Sequence, residues 1–307
     1  MRAGGADRSG ALAPLLALSA GAIWSFGTIL ARVADGANAF QYLIWRSLGI
    51  IAVVEAWALI AGRRRSTLRA FTSGRRMMAA NVALLLASIG FVYAVKTTTP
   101  ANAAFLGATT PLFGVIVARV FLGERIGSRT YVAMTVALVG LAIMVAADIN
   151  VQGAGKDIVG DLAALSSAAG FAFYAAIVRS KPERDWTPVL PGYAAIMIMI
   201  CSVVTVASGN TFVPPASDIA LAVLHGAVFI VGGTLIFNSA SRKIPAAQMT
   251  VFAQTELVLV PLWAFLLLSE RPSVSTLVGG TLIVLAVVGM ALLDVRDHAR
   301  TEVLTAV

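Results

Sequence analysis

The sequence predicts an all-α membrane protein, with ten transmembrane helices in two inverted five-helix repeats. Three observations carry that expectation. The first is composition: 59% of the 307 residues are hydrophobic, 12% are charged and the mean hydropathy is +0.88. A soluble domain carries roughly 25% charged residues, so lipid has to solvate most of this chain's surface. The second is a series of ten apolar windows, each near the ~20 residues that cross a ~30 Å hydrocarbon core at ~1.5 Å per residue. The third is that the chain overlays on itself at a fixed shift, the mark of an internal repeat.

The windows run over 13–32, 39–61, 77–96, 100–122, 129–147, 158–179, 189–208, 217–240, 245–268 and 273–293, joined by short connections. The first imitates a signal peptide, because Arg2 and Arg8 precede it and Ala37-Asn38-Ala39 follows it like a cleavage site. Its apolar stretch exceeds the about 7–15 residues of a signal core, so a retained first helix is expected. Charge placement tests the count. With the N-terminus inside and sides alternating, 17 arginines and lysines fall on the inner face and 4 on the outer (Arg32, Lys96, Lys156 and Arg271), with Arg46 and Arg119 inside spans. Positive residues concentrate on the cytoplasmic side of membrane proteins. Both termini are therefore expected in the cytoplasm.

At a shift of 146 residues the fourth and fifth windows overlay the ninth and tenth. Glu124-Arg125 falls on Glu270-Arg271, Thr135 on Thr281, Asp148 on Asp294, Asn102 on Gln248 and Thr109 on Thr255. A slip of one residue brings Pro100 onto Pro245 and Arg32 onto Arg179. The halves are placed at 1–148 and 149–307. Five helices per half is an odd number, so the second copy enters the membrane from the opposite side. Secondary transporters are built from such inverted repeats, with the substrate site near the midplane between copies.

The stretch Tyr93-Ala94-Val95-Lys96-Thr97-Thr98-Thr99-Pro100-Ala101-Asn102-Ala103-Ala104 is followed by Thr110-Pro111-Leu112-Phe113, Leu122-Gly123-Glu124-Arg125 and Val139-Gly140-Leu141. Together these segments resemble the EamA repeat of the drug/metabolite transporter superfamily. The second half repeats the pattern with Asn238, Ile244-Pro245-Ala246-Ala247, Glu256 and Leu268-Ser269-Glu270-Arg271, and Trp24 and Arg46 match the first-half tryptophan and arginine. The resemblance implies a ten-helix, multi-pass protein of the cell inner membrane that exports metabolites. Within the superfamily the chain is most similar to the aromatic amino-acid exporter branch, on Trp24, Tyr42-Leu43-Ile44-Trp45-Arg46 and Phe91-Val92-Tyr93. It departs from the family where Glu256 is followed by Leu257 rather than proline.

Glu256 stands near the middle of the ninth window, where a charged side chain costs about 2.5–3.5 kcal/mol on insertion scales. It is either a substrate or proton site, or a neutral hydrogen-bonded pin between helices. Helical spacing puts Gln248, Phe252, Thr255 and Glu256 on one broad face, with Asn102, Leu106, Thr109 and Thr110 at the equivalent positions of the other half. Polar groups facing lipid are costly, so both stripes are expected to face inward, around a cavity or as interhelical glue. Arg46, about 10 Å inside the second window, either holds a substrate carboxylate or snorkels to the interface and pairs with carbonyls. Trp24, Phe26, Tyr93, Phe173 and Tyr174 offer aromatic surface for a planar, partly apolar solute. His225 is able to titrate near neutrality. Asn238, with Thr234 a turn earlier, forms a separate stripe that does not share a face with His225. Pro100, Pro111, Pro245 and Pro261 suit either hinges or static kinks.

The net charge of +8 and pI near 10.2 reflect loop arginines and not a nucleic-acid surface. Cys201 is the single cysteine, and His225 and His298 lie far apart, so neither a disulfide within the chain nor a metal site is expected. No hydrolytic triad or phosphate-binding loop stands out, hence no cofactor and no enzyme. Ser275, Gly279, Gly280 and Gly289 suit close packing of the tenth helix, in a monomer or a homodimer. The expected function is secondary export of a small metabolite, an aromatic or other bulky amino acid, by alternating access through a central cavity. The alternatives are a general drug, nucleotide-sugar or metabolite exporter, and a non-transporting intramembrane enzyme or assembly subunit.

Overall fold

The computed structural model describes residues 12–97, 107, 109–152, 158–268 and 274–305. All its regular structure is helical: α1 (Ala13–Val33), α2 (Ala39–Ile60), α3 (Ser66–Thr72), α4 (Arg75–Thr97), α5 (Thr110–Leu122), α6 (Ser128–Gln152), α7 (Ile158–Arg179), α8 (Val189–Ala207), α9 (Ala216–Leu224), a π-helical turn (His225–Ile230), α10 (Val231–Ala240), α11 (Ala246–Phe252), α12 (Thr255–Leu268) and α13 (Val274–Thr305). Seven helical segments are long and apolar enough to cross a membrane, and three shorter apolar helices accompany them at Thr110–Leu122, Ser128–Ile143 and Leu277–Met290. Large apolar residues such as Ile60, Val120, Phe121, Val203 and Leu285 are exposed on the outside of the bundle, as a lipid-facing surface requires.

Local sequence sets the helix ends. Asn38 and Gln41 form a capping box that starts α2, which satisfies two backbone N–H groups that a helix start leaves orphaned. Pro111 sits in the first turn of α5, where its missing N–H costs nothing. Gly123 ends α5 in the left-handed conformation at φ 65°, which a side chain would strain. The chain thereby turns so that Glu124 projects at the helix end.

Helix pairing repeats the internal symmetry. In span numbers, the third packs on the sixth (α4 on α7) and the first on the eighth (α1 on α10). The fourth packs on the sixth (α5 on α7) and the first on the ninth (α1 on α12). The second pairs with the seventh (α2, α8), the fourth with the ninth (α5, α11) and the fifth with the tenth (α6, α13). Adding five to each number, with wrap-around, returns the same set. Such exchange is what a two-fold axis between two five-helix units produces.

Four details differ from the sequence expectation. The ninth span, expected as one helix over 245–268, is broken at Ala253–Gln254 into α11 and α12. The eighth is wound as a π-helix over His225–Ile230. There Gly226 lies so close to α2 that a Cβ would overlap the Arg46 carbonyl oxygen. The short helix α3 was not expected. The tenth continues to Thr305 instead of ending near 293. Asn102, Pro100 and Glu270-Arg271 lie outside the described residues.

Candidate functional site

A central cavity of about 160 Å³ is lined by residues of both halves of the chain. Its walls follow the repeat pair by pair. Trp24 is matched by Phe171, Arg46 by Tyr193, Leu84 by Ile230, Ser88 by Thr234, Gly107 by Ala253 and Thr110 by Glu256, all lining the same space. Each pair is 146 or 147 residues apart. The shape is therefore two-fold, but the charges are not: the arginine comes from the first half and the carboxylate from the second.

Arg46 is 2% exposed. Its Nη2 donates to the Ser88 hydroxyl, while Nε is buried with no hydrogen-bond partner. The snorkelling alternative is thus replaced by an arginine held inside the bundle. The close approach of Gly226 to its backbone fixes it there. An unpaired donor of a buried guanidinium is costly.

The break at Ala253–Gln254 places Glu256 in the first turn of α12, where the helix dipole favours a negative charge. Its Oε1 accepts a 2.6 Å hydrogen bond from the Thr28 hydroxyl. The carboxylate has no cationic partner among the described residues, and it lines the cavity. His225 is 3% exposed and paired through Nδ1 with the Tyr42 hydroxyl at 2.8 Å. Its other edge presses on Gly27 of α1, so it links three spans while touching the cavity.

Of the residues singled out in the sequence, Trp24, Arg46, Thr110, His225 and Glu256 line this space. Thr234 lines it too, and the other described candidates do not. Thr110 donates to the Gly107 carbonyl at 2.5 Å. Tyr174 is fully buried and donates to Asn238 Oδ1 at 2.6 Å. Phe252 is fully buried in α11, and Thr255 packs on Gly21 of α1. Gln248 and Thr109 are half-buried and do not line the cavity, and Tyr93 packs on Phe40. The stripe expected over Gln248, Phe252, Thr255 and Glu256 is divided because the helix break rotates its two ends apart. Gln254, not Gln248, supplies the amide at the cavity. Phe26 and Phe173 face outward against Trp263 and Phe121.

Sequence reasoning missed Thr28, Ser88, Phe91, Ser167, Phe171, Tyr193 and Gln254, all of them lining residues. A signal for three of them existed. Applying the repeat shift to Trp24, Arg46 and Thr234 points to Phe171, Tyr193 and Ser88.

Toward the arginine-rich end the cavity is sealed in two layers. Trp24 and Phe171 rest on Phe237, with ring centroids 5.4 and 5.1 Å away, and Tyr174 stacks behind Phe237 at 6.1 Å. Beyond them Glu124 ties the ends of three spans. Its Oε1 accepts from Arg179 Nε at 3.3 Å, and its Oε2 from the Ala246 backbone N–H at 3.2 Å. Arg179 Nη1 also donates to the Arg242 carbonyl at 2.7 Å. At the opposite end Lys96, the repeat equivalent of Arg242, donates to the Ala34 and Ala37 carbonyls.

Outside the spans, Asp185 pairs with Arg69 at 2.9 Å. Burial raises the Asp185 pKa, but hydrogen bonds from Thr187 and Arg69 outweigh it and hold the carboxyl below the usual value of 3.8.

The sequence model of the EamA-like transporter family matches residues 11–146 and again 158–292. The chain is similar to the pseudopaline exporter CntI from two strains of Pseudomonas aeruginosa, at 25% identity over 203 residues, or 66% of this chain and 69% of that one. A crystal structure at 22% identity superposes with a TM-score of 0.74 over 92% of this chain and 98% of its own. That likeness shows the fold.

Proposed function

Because the chain belongs to the EamA-like transporter family, we propose that it exports an amino acid with an aromatic or other bulky side chain across the inner membrane. Family membership gives a multi-pass secondary transporter of small metabolites and not an enzyme. The solute, the direction and the mechanism are our reading. The observation that carries it is the pairing, in one cavity, of a buried arginine with an unsatisfied Nε and a carboxylate that has no cationic partner among the described residues. A zwitterion satisfies both: its carboxylate goes to Arg46 and its ammonium to Glu256. Trp24, Phe91, Phe171 and Tyr193 supply apolar walls for its side chain. At about 160 Å³ the space is below the roughly 300–1,000 Å³ of drug-sized pockets, which favours a small solute.

Transport follows by alternating access between the halves 1–148 and 149–307, with both termini cytoplasmic. Release of the Glu124–Arg179–Ala246 contacts opens the arginine-rich side. Thr110 and His225 touch the solute, whereas Tyr174, Asn238, Phe252 and Thr255 support the wall from behind.

Proteoliposomes loaded in turn with phenylalanine, threonine and a cationic dye test this reading. Phenylalanine efflux above that of threonine, with the dye retained, is expected; dye efflux without amino-acid efflux overturns it. The likeness to a pseudopaline exporter favours a second reading, in which the solute is a larger metabolite. Efflux of pseudopaline with none of phenylalanine would establish that one.

A further inference from the structure

A second pocket, of about 650 Å³, lies on the arginine-rich face and is lined by Arg63, Arg64, Arg69, Glu183, Asp185 and Arg242. Helix α3 supplies Arg69, and three connections supply the rest: the one between α2 and α3, the one between α7 and α8, and the one between α10 and α11. We propose that this pocket binds the phosphate headgroup of an anionic membrane lipid.

The charges in the pocket are unevenly used. Asp185 is committed to Arg69 and to the Thr187 N–H. Arg63 lies over the Trp57 ring at 5.8 Å. Arg64 and Arg242 are exposed and have no side-chain hydrogen bond or ion pair among the described residues. Glu183 adds a second carboxylate to the lining, so four guanidinium groups stand against two carboxylates and the pocket keeps an excess of positive charge. Guanidinium forks match phosphate oxygens in geometry and charge.

The surroundings select a lipid over a free anion. Trp57, Leu59 and Ile60 at the end of α2 are 46%, 64% and 87% exposed, and Leu68 and Phe71 of α3 are 58% and 43% exposed. Ser66 and Ala70 of α3 are buried. The short helix therefore lies along the bundle with an apolar face left open beside the arginines. An aromatic residue and an apolar collar beside clustered arginines suit the headgroup level of a bilayer. Acyl chains would cover the collar while the phosphate fills the pocket. A soluble phosphate leaves the collar uncovered. The headgroup would bridge Arg64 of the first half to Arg242 of the second, whose carbonyl already holds Arg179.

The test uses the full chain in neutral detergent, titrated with phosphatidylglycerol, phosphatidylcholine or inorganic phosphate while thermal unfolding and lipids retained in native mass spectrometry are followed. Phosphatidylglycerol is expected to raise Tm and remain bound, with little effect from the other two. Arg64→Ala with Arg242→Ala should weaken the apparent phosphatidylglycerol affinity about 25-fold, taking the roughly fivefold per residue that a basic group near an anionic surface contributes. Arg75→Ala with Arg76→Ala removes the same charge from exposed positions outside the pocket and should change it little. Equal losses in the two double variants would reduce the effect to diffuse attraction and overturn the proposal. An equal Tm shift from inorganic phosphate would overturn it as well, leaving an anion site without a lipid. Should the Arg64, Arg242 pair fail to fold, Arg64→Ala alone is read by the number of phosphatidylglycerol molecules retained.

Discussion

The two halves of the chain build the same wall and put different chemistry on it. Six pairs of cavity residues obey the repeat shift, and helices α5 and α12 begin within one residue of equivalent positions, at Thr110 and Thr255. Four of the six pairs are conservative in character. The other two are not: Arg46 is matched by Tyr193, and Thr110 by Glu256. Symmetry of shape lets two inverted units exchange roles at the two membrane faces, which alternating access needs. In the proposed reading, asymmetry of charge would give a bound zwitterion one orientation, with its carboxylate toward Arg46 of the first half and its ammonium toward Glu256 of the second.

Variants that remove the asymmetry should be the most damaging. Arg46→Gln is expected to weaken phenylalanine transport about 100-fold, near the upper range for a hydrogen bond to a charged group. Transport of phenylalaninamide, which lacks the carboxylate, should be nearly unchanged; counterflow with the two solutes checks it. An equal loss for both would give Arg46 a structural role alone. Glu256→Thr copies the first half into the second. Its effect on phenylalanine should be smaller, about 10-fold, because Thr28 already occupies one carboxylate oxygen. N-acetylphenylalanine, without the ammonium, should lose less than phenylalanine in the same assay.

The ends of the molecule sharpen the comparison further. Glu124→Gln keeps the shape of the knot with Arg179 and Ala246 but removes its charge. Partial exposure of the pair limits the ion-pair contribution to about 1 kcal/mol. The expected result is a several-fold increase in labelling of a cysteine at Phe237 from the arginine-rich side, with the fold intact.

The smallest effect belongs to Asp185. Its carboxyl is held below its unfolded value of 3.8. The ionised form therefore stabilises the fold above that value, and the contribution fades as pH falls through the lower, folded value. Asp185→Asn should remove this part of the acid sensitivity, by at most about 1 kcal/mol for a pair this exposed. Thermal unfolding between pH 2 and 6 measures it.

The span pattern was legible because lipid imposes a length and a polarity on each segment, and the loop arginines agree with it. What was hidden depends on how spans meet. The break at Ala253–Gln254 carries no proline or glycine, and the π-turn at His225–Ile230 is set by the contact of Gly226 with α2. Helix α3 is too short and too mixed in polarity for a span search. At the site, Glu256 and Arg46 stood out because charge in an apolar window is expensive. Their partners Thr28 and Ser88 did not, since a hydroxyl in a membrane helix is ordinary and only the register between helices gives it a role. The stripe over Gln248, Phe252 and Thr255 assumed an unbroken helix, and the break removed it from the cavity.

Access to the cavity tests the central claim most directly. In a Cys201→Ser background, whose native thiol is buried, Ser167→Cys places one thiol on the cavity wall. A membrane-impermeant thiol reagent is then applied to either side of oriented vesicles, with and without phenylalanine. Labelling from each side in turn, slowed by the solute, is the predicted result. A thiol that reacts from neither side under any condition would contradict a cavity that opens alternately to both faces.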